Sequence, residues 1–206
     1  MNLANASCAR SLVSFTAFLF WMASQSLAGD DLTELSLEEL LDVEITSVSR
    51  RSQKLSDAAA AVHVISQEDI RRSGATSIPE VLRMAPGLQV AQLDANKWSV
   101  SVRGFAGRFA NKLLVLVDGR TVYTPGYSGV YWEQLDVMLE DVERTEVIRG
   151  PGATLWGANA VNGVINIITR SAHDTPDGLA TLAVGSQERL HGSIRYGGAL
   201  GENGSF

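Results

Sequence analysis

The stretch Val147–Arg170, VIRGPGATLWGANAVNGVINIITR, joins two strand-like runs through a cluster of glycines. Glycine-rich turns between regular elements often hold phosphate, so the stretch raises the question of a nucleotide site. Glycine also allows sharp turns and the close approach of two backbone segments. Which of these two explanations applies decides what kind of protein the sequence describes.

The residues around the glycines argue against phosphate binding. Gly152 and Gly157 have the spacing of a P-loop, G-x-x-x-x-G-K-[ST], but Ala158 and Asn159 follow them. The lysine that reaches the phosphates and the hydroxyl that holds magnesium are therefore both missing. The exit from the cluster is strand-like rather than helical, and Pro151 removes one backbone donor. A structural role for the glycines is favoured.

No other pattern in the sequence indicates catalysis or a bound metal. The three histidines are widely separated, and none has a second ligand at a helical or strand offset. The chain has no G-x-S-x-G elbow, and the acidic residues between 140 and 143 are typical of a solvated helix face. We therefore predict a protein that is not an enzyme and that has no cofactor.

The first 28 of the 206 residues have the features of a secretory signal peptide. Arg10 is their only charge, and the apolar core 12–22 has the length of a signal sequence but not of a membrane-spanning helix. Ser26 and Ala28 place small residues at the positions that precede a cleavage site. We expect cleavage before Gly29 and export of the remaining chain.

The composition of the exported part limits its partners. Loss of Arg10 leaves 16 basic against 23 acidic residues, a net charge of −7, which argues against a general nucleic-acid binder. The only cysteine, Cys8, leaves with the signal peptide, so a disulfide framework is excluded. Because no later apolar run is long enough for a membrane helix, any contact with a membrane is expected through β-strands or a partner.

From Lys54 the pattern becomes that of a globular domain with short strands and helices. Helix 67–73 is predicted from the capping pair Ser66 and Asp69, and it ends at Gly74. A second helix is predicted to follow a capping box formed by Ser77 and Glu80. The predicted strands are AVHVIS, LQVAQL, WSVSVRGF, KLLVLVDG, TEVIR and GVINIITR, and LEDVER is a predicted helical turn. GVINIITR is apolar on both faces, which predicts a strand covered on both sides.

After Arg170 the sequence changes character. SAHDTPDG reads as a linker, and RLHGSIRY (189–196) then alternates between polar and apolar residues. Leu190, Ile194 and Tyr196 fall on one face, and LATLAVGS alternates more weakly. This pattern is typical of an outer-membrane barrel strand, although an ordinary surface hairpin has the same pattern.

Aromatic residues concentrate in the loop YTPGYSGVYW and beside the earlier turns. Either they pack within the protein or they form a binding surface, since aromatic side chains on loops offer contact area with a polar handle. The sequence does not indicate which rings point outward. The candidate ligand-contact residues are Trp98, Phe105, Arg108, Phe109, Tyr123, Tyr127, Tyr131 and Trp132.

Several segments together resemble the plug domain of TonB-dependent outer-membrane receptors. They are VISQEDIRRSGATSIPEVLRMAPGLQV, VSVRGF, LLVLVDGRTVY and LEDVERTEVIRGPGATLWGANAVNGVINIITR, and they cover roughly residues 53–170. Trp156 stands where the family often has tyrosine, which keeps the aromatic character. The residues carried over to the plug's structural motif are Arg149, Gly150, Pro151, Gly152, Trp156, Gly157 and Gly163.

The resemblance implies an α+β fold, a small mixed sheet with short helices held inside a barrel. It implies energised import of a scarce ligand, most often a ferric siderophore, although cobalamin, haem and oligosaccharides are also substrates in the family. It also implies a periplasmic partner, TonB, which pairs with an extended box near the receptor's N-terminus. The candidate box, DVEITSV, comprises Asp42, Val43, Glu44, Ile45, Thr46, Ser47 and Val48, in an arm expected to be flexible.

The predicted organisation is a signal peptide (1–28), an arm (29–52), a plug (53–170), a linker (171–178) and the first barrel strands (179–206). Two strands cannot close a barrel, and an open sheet edge is not viable in lipid, so we expect a fragment or an interrupted gene. Two hypotheses stay open: the N-terminal part of a transport receptor, which is favoured, and a free-standing periplasmic module with the plug fold. A nucleotide-dependent enzyme is a weak third.

Overall fold

The computed structural model describes residues 44–45, 53–54, 61–126, 129–151, 153–186 and 190–198, so the predicted signal peptide lies outside the described part. In chain order, the strands are β1 Glu44–Ile45, β2 Gln53–Lys54, β3 Ala61–Ser66, β4 Leu88–Gln92, β5 Trp98–Val102, β6 Leu113–Val117, β7 Arg120–Thr121, β8 Val142–Arg149, β9 Gly163–Thr169, β10 Gly178–Ala183 and β11 His191–Tyr196. The helices are α1 Gln67–Ser73, α2 Ile78–Leu82 and α3 Ala153–Trp156, and 3-10 turns cover Trp132–Gln134 and Leu139–Asp141.

The centre of the fold is a five-stranded sheet with the strand order β3-β8-β9-β6-β7. β8 pairs antiparallel with β3 and β9, whereas β9 pairs parallel with β6. β4 and β5 form a separate antiparallel hairpin. The predicted mixed α+β fold with short helices is confirmed.

Helix α1 forms where the capping signals predict it. The Ser66 hydroxyl accepts a hydrogen bond from the Asp69 amide at 3.1 Å, and the Asp69 carboxylate accepts one from the Ser66 amide at 3.0 Å. This reciprocal pair satisfies two of the free N–H groups at the start of the helix. Gly74 ends the helix in the left-handed conformation, with φ 67°.

Helix α2 is present, but the predicted capping box is wrong. Ser77 occupies the N-cap position without a capping hydrogen bond from its side chain. The Glu80 carboxylate instead accepts hydrogen bonds from the amide and the hydroxyl of Thr76, at 2.8 and 3.1 Å. Thr76 attracts the carboxylate because it offers two donors to the same oxygen atom.

The segment before β8 also differs from its prediction. Only Leu139–Asp141 forms a helical turn, and β8 starts at Val142, within the predicted turn LEDVER. Val142 and Arg144 pair with Thr169 and Ile168 of β9, so pairing with the neighbouring strand extends β8. Glu143 therefore lies on a strand rather than on a solvated helix face.

The central sheet is buried on both faces. On one face, alternate residues of β6, β8 and β9 pack against α1, α2 and β5 in the larger hydrophobic cluster. On the other face, a smaller cluster includes Ala160 and Trp156, from the segment between β8 and β9. Val164, Ile165 and Ile167 of β9 are fully buried, which confirms the prediction of a strand covered on both sides.

β10 and β11 form an antiparallel hairpin whose two faces differ. Leu182, Ile194 and Tyr196 are 74–85% exposed, whereas Arg195 and the hydrogen-bonded Thr181 on the opposite face are half-buried. The alternation predicted from the sequence is therefore present in the structure. No helix in the described part of the chain is long and apolar enough to cross a membrane.

Candidate functional site

The glycine-rich stretch has a structural explanation in the close packing of the sheet. A Cβ atom at Gly163 would overlap the carbonyl oxygen of Ile148 on the neighbouring strand, so only glycine fits where β9 begins. Gly150 and Gly157 have φ of 146° and 93°, values that other residues rarely adopt. The short helix α3, which the sequence did not predict, lies between these turns.

The other residues of this motif lie around the same part of the sheet. Arg149 is half-buried and packs on Gly87. A Cβ atom added to Gly87 would lie 3.4 Å from both Cδ and Nη1 of Arg149. Trp156 packs against the smaller hydrophobic cluster, and Pro151 is exposed. Gly152 lies outside the described residues.

Two loops meet near the start of β6. The segment 103–112 leads directly into β6. After β7 the chain runs back along β6, where the Val122 amide donates a hydrogen bond to the Val115 carbonyl at 3.2 Å. The loop then folds on itself through a bridge between Thr124 and Gly129. Gly129 lies so close to the other loop that a Cβ there would be 2.9 Å from the Cα of Phe109.

This meeting point brings one guanidinium beside two aromatic rings. The Arg108 guanidinium carbon lies 5.0 Å from the ring centre of Phe109 and 5.9 Å from that of Tyr131. The two rings are 5.4 Å apart and tilted by 58°. Arg108 also donates from Nη2 to Glu133 at 2.9 Å. These four side chains form what we call the arginine–aromatic cluster.

An open depression of about 470 Å³ lies against the cluster. Its lining residues are Arg108, Phe109, Thr124, Tyr131 and Gln134. A hydroxyl, an amide and a guanidinium therefore lie beside two aromatic rings, so the depression offers both hydrogen-bonding groups and ring surface. Each of these lining side chains can contact a ligand that enters the depression.

The turn of the β4–β5 hairpin contributes charge near the cluster. The pKa of Asp94 is lowered, chiefly by its hydrogen bond with Lys97 and then by the Ala95 amide, with the charge of Arg108 as a smaller cause. Lys97 donates to Asp94 at 2.8 Å. A second carboxylate therefore lies within electrostatic reach of Arg108, in addition to Glu133.

The remaining predicted contact residues differ in how deeply their side chains are buried. Trp98 and Trp132 are only 7% and 6% exposed and belong to the larger hydrophobic cluster, so they present no surface to a ligand. Phe105 is 70% exposed and adopts φ 59°, an unusual value for a bulky residue. Tyr123 packs partly against the core, and burial raises the pKa of its hydroxyl. Tyr127 lies outside the described residues.

Glu133, Thr124 and Gln134 belong to the site, although the sequence did not identify them. Glu133 is 25 residues from Arg108, and no local pattern marks the pair. Within the part of the chain that the structure describes, no group of three His, Cys, Asp or Glu side chains could hold a metal ion.

Comparison with known proteins connects this fold to a family. The family model described as TonB-dependent Receptor Plug Domain matches residues 54–164. The vitamin B12 transporter BtuB of Vibrio vulnificus is 33% identical over 165 residues, which cover 79% of this chain and 26% of that protein. The chain belongs to the TonB-dependent receptors and carries their plug domain.

A second relative and two solved structures agree with this assignment. The iron-regulated outer membrane virulence protein of Vibrio cholerae is 32% identical over 85% of this chain and 26% of its own length. The pyoverdine outer membrane receptor FpvA of Pseudomonas aeruginosa matches 78% of this chain and 23% of its own, with a TM-score of 0.62 at 24% identity. BauA, the ferric preacinetobactin receptor of Acinetobacter baumannii, matches the same shares with a TM-score of 0.61 at 25% identity.

The matches cover most of this chain but only part of each relative. The chain spans about a quarter of the length of the curated relatives that it matches. The relatives are described as a transporter, an outer membrane virulence protein and an outer membrane receptor. The resemblance to the plug of TonB-dependent receptors is confirmed, with the family match over residues 54–164.

The structure describes two residues of the candidate TonB box. Glu44–Ile45 pair antiparallel with Gln53–Lys54, and the side chain of Ile45 is fully buried. At these two positions the chain is extended. The other five residues of the box lie outside the described part.

The β10–β11 hairpin touches the plug of this TonB-dependent receptor through its polar face. Arg195 donates from Nη1 to the Asp141 carboxylate at 2.7 Å, and both side chains are about one quarter exposed. The backbone of Asp141 also accepts from the Arg170 amide at 2.8 Å. The turn before β8 is therefore tied both to the end of β9 and to the hairpin.

Proposed function

We propose that this chain is the N-terminal part of a TonB-dependent outer-membrane receptor whose plug gates the energised uptake of a scarce ligand. A ferric siderophore is the favoured ligand class. The observation that carries the proposal is the plug fold, with a polar and aromatic depression where two loops meet. The named relatives, which include a vitamin B12 transporter and receptors for ferric siderophores, support the same class of activity.

In this proposal the ligand contacts the plug at the arginine–aromatic cluster. Phe109 and Tyr131 offer their rings, and Arg108, Thr124 and Gln134 offer hydrogen bonds. Phe105 adds an exposed ring on the same loop as Arg108. Trp98, on β5, and Trp132 are instead part of the hydrophobic core.

The proposed periplasmic partner is TonB, which would pair with residues 42–48. An extended segment can add to the edge of a partner's sheet through backbone hydrogen bonds. Because Glu44–Ile45 already pair with Gln53–Lys54, that pairing must open before TonB can take its place. Ligand binding would shift the plug toward the state in which the box is accessible.

Residues 179–206 are proposed to begin the barrel wall around the plug, and residues 171–178 to form the linker before it. Residues 1–28 are proposed to be the signal peptide that directs export. The exposed apolar face of the hairpin suits contact with lipid, and the polar face suits contact with the plug. Polar contacts of this kind, with bridging water, can be broken and reformed when the plug moves.

The coding DNA downstream of Phe206 separates this proposal from a free-standing periplasmic module. A long in-frame series of alternating segments of about ten residues supports the receptor. A genuine stop followed by unrelated sequence would exclude it. Growth under iron limitation, with and without the full gene, then tests the ligand class, because a siderophore receptor is required only when iron is scarce.

The TonB assignment has its own test in a pull-down with the periplasmic domain of TonB. Deleting residues 42–48 should abolish capture of the full-length receptor. Deleting 30–36, seven residues of the same arm, is the matched control and should leave capture unchanged. Equal capture of both deletion variants would show that the box lies elsewhere.

A further inference from the structure

One asparagine bridges the two ends of the loop that carries Arg108. Asn162 donates from its side-chain Nδ2 to the Val102 carbonyl at 2.9 Å, and its backbone amide donates to the Lys112 carbonyl at 2.8 Å. Val102 ends β5, and Lys112 directly precedes β6. The loop 103–112 is therefore closed at its base by a residue that lies 60 positions from Val102.

Asn162 is itself held in place by the central sheet. Its carbonyl accepts a hydrogen bond from the Gly150 amide at 3.0 Å. The next residue, Gly163, pairs with Leu113 of β6 and with Arg149 of β8. The backbone at Asn162 is therefore fixed, and its side chain ties the separate β4–β5 hairpin to this sheet.

The backbone just after Val102 adopts a conformation that needs such support. Arg103, Gly104 and Phe105 have φ of 55°, 93° and 59°, so two non-glycine residues lie in the left-handed region. Residues keep such values only where the surrounding structure holds them there. Phe105 is 70% exposed and Arg103 is also exposed, so their side chains provide little of this support. The hydrogen bond from Asn162 to Val102 lies directly before the strained turn and is placed to supply it.

The position of the loop base matters for the depression. Arg108 and Phe109 line the depression from loop 103–112, whereas Tyr131 and Gln134 line it from the other loop. Because the two loops are separate in sequence, a shift at the base of one moves one side of the depression relative to the other.

We propose that Asn162 is a positioning residue for ligand binding: its side-chain amide fixes the base of loop 103–112 and so places Arg108 and Phe109 at the depression. The inference rests on the proposed uptake function and adds a residue that does not itself line the depression. Asn162 acts through Val102, so loss of its amide should loosen the loop without removing a group that a ligand would contact.

A nitroxide spin label on a cysteine at Ala106, an exposed residue of the loop, reports this in the full-length receptor in detergent. Asn162→Ala removes the side-chain amide but keeps both backbone hydrogen bonds. It should raise the mobile fraction of the electron paramagnetic resonance spectrum about twofold. Asn162→Asp keeps the shape of the side chain but replaces the donor with a carboxylate, which only accepts, so it should have the same effect.

Asn166→Ala is the matched control, because it removes a second asparagine amide close by in the chain. Asn166 is buried on β9, and its Oδ1 accepts a hydrogen bond from the Gly119 amide at 3.3 Å, beside the β6–β7 turn. Its loss should destabilise the plug but leave the label at Ala106 unchanged. In the full gene, Asn162→Ala should also slow growth under iron limitation more than Asn166→Ala, at equal amounts of receptor in the membrane.

Each outcome decides the role of Asn162. Unchanged spectra for both Asn162 variants would overturn the inference, as would an equal rise in mobility for Asn166→Ala or normal growth beside a mobile label. Failure of both Asn162 variants to fold, beside a folded Asn166→Ala, would show a role in the fold instead of in positioning. The label needs no bound ligand, so the spectra decide the inference even where a wild-type receptor dispensable under iron limitation contradicts the proposed function.

Discussion

The central sheet and the β10–β11 hairpin use alternating side chains in opposite ways. In the sheet both faces are covered, and Ile165 and Ile167 are fully buried. In the hairpin the apolar face is open, with Ile194 85% exposed, while Arg195 on the other face donates to Asp141 of the plug. The sheet therefore encloses its own core, whereas the hairpin leaves apolar area uncovered.

The difference indicates which surroundings each region suits. Folding of the sheet is driven by burial of its own apolar side chains. The hairpin gains little stability from burying its apolar side chains. Its row of exposed apolar residues opposite a row of polar ones suits a strand between lipid and a polar interior. Substitutions of the same chemistry in the two regions should therefore have very different effects.

The largest contrast is expected between Ile165→Ala and Ile194→Ala. The first removes fully buried methyl groups and should lower the free energy of unfolding of the plug by about 4 kcal/mol. The second changes an exposed side chain and should lower it by less than about 0.5 kcal/mol. Urea unfolding, followed by near-ultraviolet circular dichroism of the buried tryptophans, measures both. Equal losses would contradict the assigned difference in burial.

A smaller contrast is expected between two glycines. Gly163→Ala places a Cβ against the Ile148 carbonyl and forces the backbone to move, which should cost about 3 kcal/mol. At Gly192 the nearest atom would be 3.4 Å away, so Gly192→Ala should change stability by less than about 0.5 kcal/mol. The same unfolding experiment measures both, and a harmless Gly163→Ala would mean that β8 and β9 pack less closely than described.

The ion pair that joins the two regions should contribute less. A double-mutant cycle with Asp141→Asn and Arg195→Gln should give a coupling energy of about 1 kcal/mol, since both side chains are three-quarters buried. The pair Glu68 and Arg71 on α1, in which the arginine is 60% exposed, is the control and should give a smaller coupling energy. A coupling near zero for the first pair would show that the hairpin is not tied to the plug at this point.

The smallest effect concerns His63, on the edge strand of the sheet. Burial, and then the charge of Arg149, lower its pKa below 6.5, while Asp69 opposes the shift. The unfolded chain therefore binds the proton more readily, and stability should fall as the pH drops below 6.5. His63→Gln should remove this pH dependence. Identical pH profiles for the two proteins between pH 7 and 5 would contradict the shift.

The sequence predicts local elements well where a single pattern determines them. Ser66 and Asp69 correctly predict the start of α1, and the alternation in β11 correctly predicts its two faces. The similar pair Ser77 and Glu80 fails because Thr76, one residue earlier, competes for the carboxylate. A capping pattern identifies the helix more reliably than it identifies the hydrogen bonds.

The candidate site was less predictable because it depends on contacts between distant segments. Trp98 and Trp132 appeared as suitable for binding as Phe109, since residue type does not reveal which ring packs inward. Glu133 was missed because only the meeting of two loops brings it to Arg108. The sequence therefore indicated the loops of the site but not the side chains that line it.

We propose that the hairpin faces lipid on one side and the plug on the other. A fluorescent label on a cysteine at Ile194, or at its neighbour Ser193, in the full-length receptor in liposomes tests it directly. Lipids that carry a quencher in their acyl chains should quench the label at 194 strongly and the label at 193 weakly. Equal quenching at both positions, or none at 194, would contradict the account.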